Sequence, residues 1–84
     1  MAKIVIYSKT YCPYCDRAKN LLKSKGVSFE EHMIDDKPEV MKQLMEKTGM
    51  RTVPQIFIND QLIGGFSDLD ALDKAGNLDP LLKK

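Results

Sequence analysis

Lys3 to Tyr7 is β-branched and aromatic with almost no polar interruption, the pattern of a central strand covered on both faces. Ser8-Lys9-Thr10 then makes a loop. From Pro13 to about Lys25 the period turns helical, with Ala18, Leu21 and Leu22 inward and Arg17, Lys19, Asn20 and Lys23 outward, and Gly26 ends the helix. Val27 to Ile34 reads as a second strand, parallel to the first because a whole helix separates them. A second helix starts at Asp35-Asp36-Lys37-Pro38, with an Asp as N-cap and Pro38 near the first turn. It carries Val40, Met41, Leu44 and Met45 at core spacing and closes at Gly49. Gln55-Ile56-Phe57-Ile58 and Gln61-Leu62-Ile63 flank Asn59-Asp60, a hairpin signature. Gly64-Gly65 breaks the second of these strands, and Ser67 caps a last helix that runs through Ala75, with Asp68 and Asp70 in its first turn. Gly76-Asn77 stops it, Leu78, Leu81 and Leu82 dock the tail, and Lys83-Lys84 are solvated ends.

The order is β-α-β-α-β-β-α: an α/β fold in which two parallel strands, joined by a right-handed crossover, and a hairpin make a four-stranded mixed sheet flanked by helices. At 84 residues, 1–84 is one domain, of a size that buries only about 60% of its unfolded surface. A hydrophobic content of 43% in clustered runs excludes a disordered chain. No apolar segment is long enough for a membrane span, and the first apolar run is too short for a signal peptide, so a cytoplasmic location is expected. Lys and Arg number 13 against 12 Asp and Glu, a net charge of +1, so no global field draws the protein to nucleic acid or to a membrane surface.

The chemistry sits at Tyr11-Cys12-Pro13-Tyr14-Cys15, which holds both cysteines of the chain. With Pro13 opening the helix, Cys12 falls at its entrance, where unbonded N–H groups favour a thiolate. Cys15 lies inside the first turn, three and seven residues before Ala18 and Leu22, on the apolar face. Cys12 is thus placed to attack and Cys15 to follow. Lys9, just before the pair, either supports the thiolate and meets an anionic substrate or is an ordinary solvated loop lysine. A zinc site normally takes four Cys or His ligands, and two cysteines with His32 fall short, so no metal is expected. His32 reads as a surface or strand-edge residue. A structural disulfide across so short a loop would constrain the unfolded chain little. A Cys-x-x-Cys after a strand in a β-α pattern reads as a thioredoxin-like redox motif.

Cys12-Pro13-Tyr14-Cys15, Thr52-Val53-Pro54 and Gly64-Gly65 followed by Ser67-Asp68 stand in the order and spacing of the glutaredoxins, and the chain resembles that family over nearly its whole length. The resemblance implies a thioredoxin-like fold, Cys12 as nucleophile, Cys15 as resolving thiol, and a cis proline at Pro54 facing the sulfurs. It also implies a groove for glutathione, the reducing co-substrate, with no bound cofactor. Lys9 and Arg51 would lie near the glycine carboxylate, Tyr14 beside the glutathione sulfur, and Val53 would pair by its backbone, with Thr52, Pro54 and Gly65 also among the glutathione-binding residues. Ser67 and Asp68 would lie at the γ-glutamyl end. Cations at one end and an acid at the other suit an anionic tripeptide with one cationic amine. Where family members often carry a glutamine early in the second helix, this chain has Met41, with Lys37 and Lys42 nearby.

The expected activity is glutathione-dependent thiol–disulfide oxidoreduction by a monomer. Its partners would be glutathione and disulfide-containing or glutathionylated proteins. The competing readings are a thioredoxin-like donor recharged by a flavoprotein reductase, against which Lys9, Arg51 and Asp68 argue, and an iron-sulfur cluster carrier.

Overall fold

The computed structural model describes residues 2–83; Met1 and Lys84, both inside the expected domain, lie outside the described residues. Strand β1 (Ile4–Ser8) leads through the cysteine loop into α1 (Pro13–Ser24), followed by β2 (Glu30–Met33), α2 (Pro38–Thr48), β3 (Gln55–Ile58), β4 (Gln61–Gly64), α3 (Phe66–Lys74) and a short α4 (Leu78–Leu82). The sheet order is β2-β1-β3-β4, with β1 parallel to β2 and antiparallel to β3, and β3 antiparallel to β4. This is the expected mixed, thioredoxin-like sheet with β1 central.

Alternation along β1 and β3 sorts the apolar residues onto two faces. Ile4, Ile6, Ile56 and Ile58 meet Ala18 and Leu22 of α1, Leu69 of α3, and Leu78 and Leu82 of α4. Ile34, Leu44 and Phe57 form the smaller core under α2, with Val40 and Met41 packed against it. Asn59 and Asp60 at the β3–β4 turn both have left-handed backbone, φ 52° and 66°, as a tight hairpin turn requires. Asn59 also accepts a hydrogen bond from Lys3 N–H at 2.9 Å, which ties the turn to the start of β1.

Several boundaries differ from the sequence expectation. The second strand is confined to Glu30–Met33, because 27–29 follow the Gly26 turn outside the ladder. The tail after Gly76 is a helix, and not merely a docked segment. At α2 the N-cap is Lys37, with no side-chain cap bond. Asp35 is engaged elsewhere, accepting from Thr10 N–H at 2.9 Å and from Thr10 Oγ1 at 3.1 Å, and so steadies the loop that enters the cysteine pair. At α3 the helix begins at Phe66 and its N-cap is Gly65, so Ser67 is inside the first turn and does not cap it. Asp68, three residues beyond the cap, accepts the Gly65 N–H at 3.1 Å and takes over that task. Lys19, expected outward, is largely covered, with its side chain 22% exposed.

Candidate active site

Pro13 occupies the first position of α1, where its missing N–H costs nothing, and Cys12 is the N-cap. Cys12 takes the role that Ser or Asp usually fills: its Sγ accepts the Cys15 N–H at 3.3 Å. The same sulfur lies 3.8 Å from the Val53 carbonyl oxygen. Both cysteines are free thiols, Cys12 partly exposed and Cys15 fully buried on the Ala18–Leu22 face. Burial pushes the Cys15 thiol up to about 12, the neighbouring Cys12 sulfur adds to the rise, and the Lys9 backbone N–H and the Lys19 charge pull against it. One sulfur therefore stands at a helix entrance with an N–H aimed at it, and the other is held as a thiol behind it.

The loop opposite Cys12 is built from below. Gln55, the first residue of β3, is fully buried and donates through Nε2 to the carbonyls of Met50 and Thr52, both at 3.1 Å. Its Oε1 accepts from Thr48 Oγ1 at 3.1 Å, and Thr48 Oγ1 accepts from Met50 N–H at 3.1 Å. Every polar atom of this buried amide is used, so it fixes 50–54 as one piece. The Val53–Pro54 peptide bond is cis, and Pro54 is buried.

Beside the cysteines runs a groove of about 420 Å³ lined by Tyr14, Met50, Thr52, Val53, Pro54 and the α3 entrance from Gly65 to Asp68. Tyr14, 58% exposed, tilts against Phe66 and carries the Arg17 guanidinium 5.4 Å from its ring centre. Gly64 has φ 122°, and a side chain there would run into the Asp68 carboxylate, so glycine at this position leaves room for Asp68 beside the groove it lines.

The sequence profile of the glutaredoxins matches residues 4–63. The chain belongs to the glutaredoxin family. Glutaredoxin 3 of Escherichia coli strain K12 is 57% identical over 83 residues, covering 99% of this chain and 100% of that one. Among solved structures, a buckwheat glutaredoxin–glutathione complex superposes with a TM-score of 0.94 at 34% identity, covering 98% of this chain and 77% of the other. The solution structure of glutaredoxin from Brucella melitensis does so with a TM-score of 0.88 at 46% identity, covering 99% and 90%. Glutaredoxins are thiol–disulfide oxidoreductases, and in this member Cys12 and Cys15 are spaced as a Cys-x-x-Cys pair.

Of the residues expected at a glutathione groove, the structure brings together Tyr14, Thr52, Val53, Pro54, Gly65, Ser67 and Asp68. Lys9 and Arg51 are exposed and do not line this groove. Met41 packs on the core under α2. Met50 and Phe66 line the groove without having been expected there. A methionine after a helix-ending glycine and a phenylalanine after a double glycine look like ordinary core residues, so only the folded loop reveals them. His32 is at the β2 edge, stacked on Tyr7 at 5.2 Å and bonded to Glu30 at 2.9 Å.

Proposed function

We propose that this glutaredoxin reduces protein disulfides and protein–glutathione mixed disulfides with glutathione as its electron source, through Cys12 and Cys15. The supporting observation is the Cys12 sulfur at the α1 entrance, with the Cys15 N–H on it and the carbonyl of groove-lining Val53 3.8 Å away, next to a groove that Asp68 also lines. The Cys12 thiolate attacks the glutathione sulfur of a mixed disulfide. The new bond joins Cys12 to glutathione, and the protein thiolate departs with the bonding electrons and takes up a proton. A second glutathione thiolate then attacks the bound glutathione sulfur, which yields glutathione disulfide and restores Cys12. On a protein disulfide, Cys12 attacks one sulfur and Cys15 displaces the resulting mixed disulfide, leaving a Cys12–Cys15 disulfide for glutathione to reduce.

In this reading Thr52 and the Val53 backbone hold the glutathione main chain, Tyr14 covers its sulfur, and Ser67 with Asp68 meets the γ-glutamyl amine. Lys9 and Arg51 reach the glycine carboxylate from outside the groove. The protein works as a single-domain monomer in the cytoplasm, on glutathione and on disulfide-containing or glutathionylated proteins, without a bound cofactor or metal.

The test is reduction of a glutathione mixed disulfide coupled to NADPH oxidation by glutathione reductase, with glutathione supplied or withheld, in the wild type and in Cys12→Ser and Cys15→Ser. Turnover that needs glutathione, disappears in Cys12→Ser and persists in Cys15→Ser is expected. Turnover without glutathione when a thioredoxin reductase is supplied instead would overturn the reading.

A further inference from the structure

Asp68 lines two cavities. One is the groove beside the cysteines; the other, of about 390 Å³, has among its walls Gln61 and Ile63 of β4, Ala71 and Leu72 of α3, and Leu81 of α4. The two adjoin at this residue. Ala71 and Leu72 stand three and four positions beyond Asp68, the spacing that puts them on its face of α3. Ile63, Leu72 and Leu81 are only partly buried: each packs on the core of β1, β3 and α1 and leaves the rest of its apolar surface to the cavity. Ala71 is exposed and brings no more than a methyl group, which leaves the space open.

Among the described residues that line the second cavity, Asp68 alone is charged. Its Oδ2 accepts the Gly65 N–H at 3.1 Å, and Oδ1 receives no protein donor among the described residues. The cavity thus offers apolar walls to an uncharged side chain, with an acceptor at the end nearer the cysteines.

We propose that this second cavity is a side-chain subsite for protein substrates: when a substrate cysteine is joined to Cys12, the segment ahead of that cysteine runs past Asp68 and sets an apolar side chain, two or three residues ahead of the cysteine, against Ile63, Ala71, Leu72 and Leu81. This rests on the reading of the groove as a glutathione site with the γ-glutamyl amine at Asp68, which fixes the direction of the bound chain.

The reach follows from that direction. In glutathione the residue ahead of the cysteine is joined through its side-chain carboxyl, so its amine stands farther from the sulfur than the amine of an ordinary residue one place ahead. A substrate chain laid the same way needs two residues to come level with Asp68, and an extended chain advances about 3.3 to 3.6 Å with each one. Successive side chains of such a chain point to opposite sides, so one of the two positions faces the cavity. Glutathione has no residue beyond its amine and leaves the cavity unused. The subsite therefore sorts protein disulfides from one another and is silent toward glutathione.

The probes are acetylated peptides of Gly and Ser around one cysteine, carried as its 2-thiopyridyl disulfide, with Leu, Gly or Glu placed two or three residues ahead of it. Cys15→Ser protein is used so that the reaction stops after one exchange. The Cys12 thiolate attacks the peptide sulfur, the Cys12–peptide disulfide forms, and 2-thiopyridone leaves with the bonding electrons, takes a proton from solvent and is read by its absorbance. An apolar side chain in a fitting pocket changes a rate about tenfold or more, so at one of the two positions Leu is expected to react about tenfold faster than Gly. Glu is expected to gain nothing over Gly, and neither is Leu placed the same distance after the cysteine. Ala71→Gln, which extends a polar side chain from the exposed face of α3 into the cavity, is expected to bring the Leu-to-Gly ratio down to about one, because Leu then finds no apolar surface to cover. With Cys15 intact, Ala71→Gln is expected to keep wild-type turnover of a glutathione mixed disulfide, and Ala71→Glu repeats both measurements should the glutamine variant fail to fold. A Leu preference that is absent, that is equal on both sides of the cysteine, or that survives the Ala71 variants overturns the proposal. A wild-type protein that does not turn over the glutathione mixed disulfide with glutathione supplied instead overturns the groove reading on which the proposal stands.

Discussion

Gln55→Met is the sharpest test of how the groove is built, because methionine copies the length of glutamine and removes only the amide. The change deletes two bonds from Nε2, to the Met50 and Thr52 carbonyls, and one from Thr48 Oγ1 to Oε1. A hydrogen bond contributes about 0.5 to 1.5 kcal/mol net. Thr48 Oγ1 retains its bond to the Leu44 carbonyl at 2.8 Å, and Thr52 is exposed enough for water to replace part of what its carbonyl loses. The side chain that replaces the amide is apolar in a fully buried position, which returns some burial energy. The net loss is therefore about 2 kcal/mol, near the low end of three bonds. In a domain of this size that lowers the Tm by about 8 to 16 °C, measurable by circular dichroism on heating or in urea. Because the bonds pin 50–54, the KM for a glutathione mixed disulfide is expected to rise, while alkylation of Cys12 by iodoacetamide stays close to wild type. A Gln55→Met protein as stable as wild type, with an unaltered KM, would refute the claim that this amide organises the groove.

Two further outcomes follow from the site. Asp68 accepts the Gly65 N–H and also lines the groove, and Asp68→Asn separates the two by keeping the bond to the Gly65 N–H while removing the charge. If the charge holds a cationic amine, both Asp68→Asn and Asp68→Ala raise the KM for glutathione with a smaller change in kcat, and only Asp68→Ala also costs about 1 kcal/mol of stability; unchanged KM in both would refute the binding role. For the cysteines, a Cys15 thiol pushed up to about 12 by burial stays protonated through neutral and mildly alkaline pH, so iodoacetamide labels Cys12 first and Cys15 labelling rises only as pH approaches that value. Peptide mapping by mass spectrometry checks the order, and earlier label on Cys15 near pH 7 would show that its burial does not govern its reactivity.

The strands and helices were legible because each is announced by local chemistry: the β-branched run of β1, Pro13 and Pro38 at the first helical positions, and Asn59-Asp60 at a turn that needs left-handed backbone twice. Misreadings arose where a side chain had a distant partner stronger than its local one. Asp35 has the right composition for the α2 cap, yet Thr10 offers it both a backbone N–H and a hydroxyl from 25 residues away. Lys19 falls on the polar arc of α1 by periodicity, yet Glu31 on β2 comes within 2.7 Å and draws it across the sheet edge. No window of sequence contains both partners.

The site divides along the same line. Cys12 and Cys15 were readable because their difference is set by neighbours one helical turn apart: a helix entrance for one, an apolar face for the other. The groove is made by three segments far apart in sequence, and its support is a buried glutamine that, at the start of an apolar run, looks like a strand edge facing water. Buried amides are tolerated only when fully bonded, and those bonds go to carbonyls that exist in the right place only after 48–54 has folded back under β3. Gly64 shows the converse. Its φ of 122° and the Asp68 carboxylate packed against the place of a missing Cβ make glycine there a condition for Asp68 to line the groove. The placement of the two sulfurs is therefore specified locally, whereas the groove beside them is specified by contacts that only the closed fold brings together.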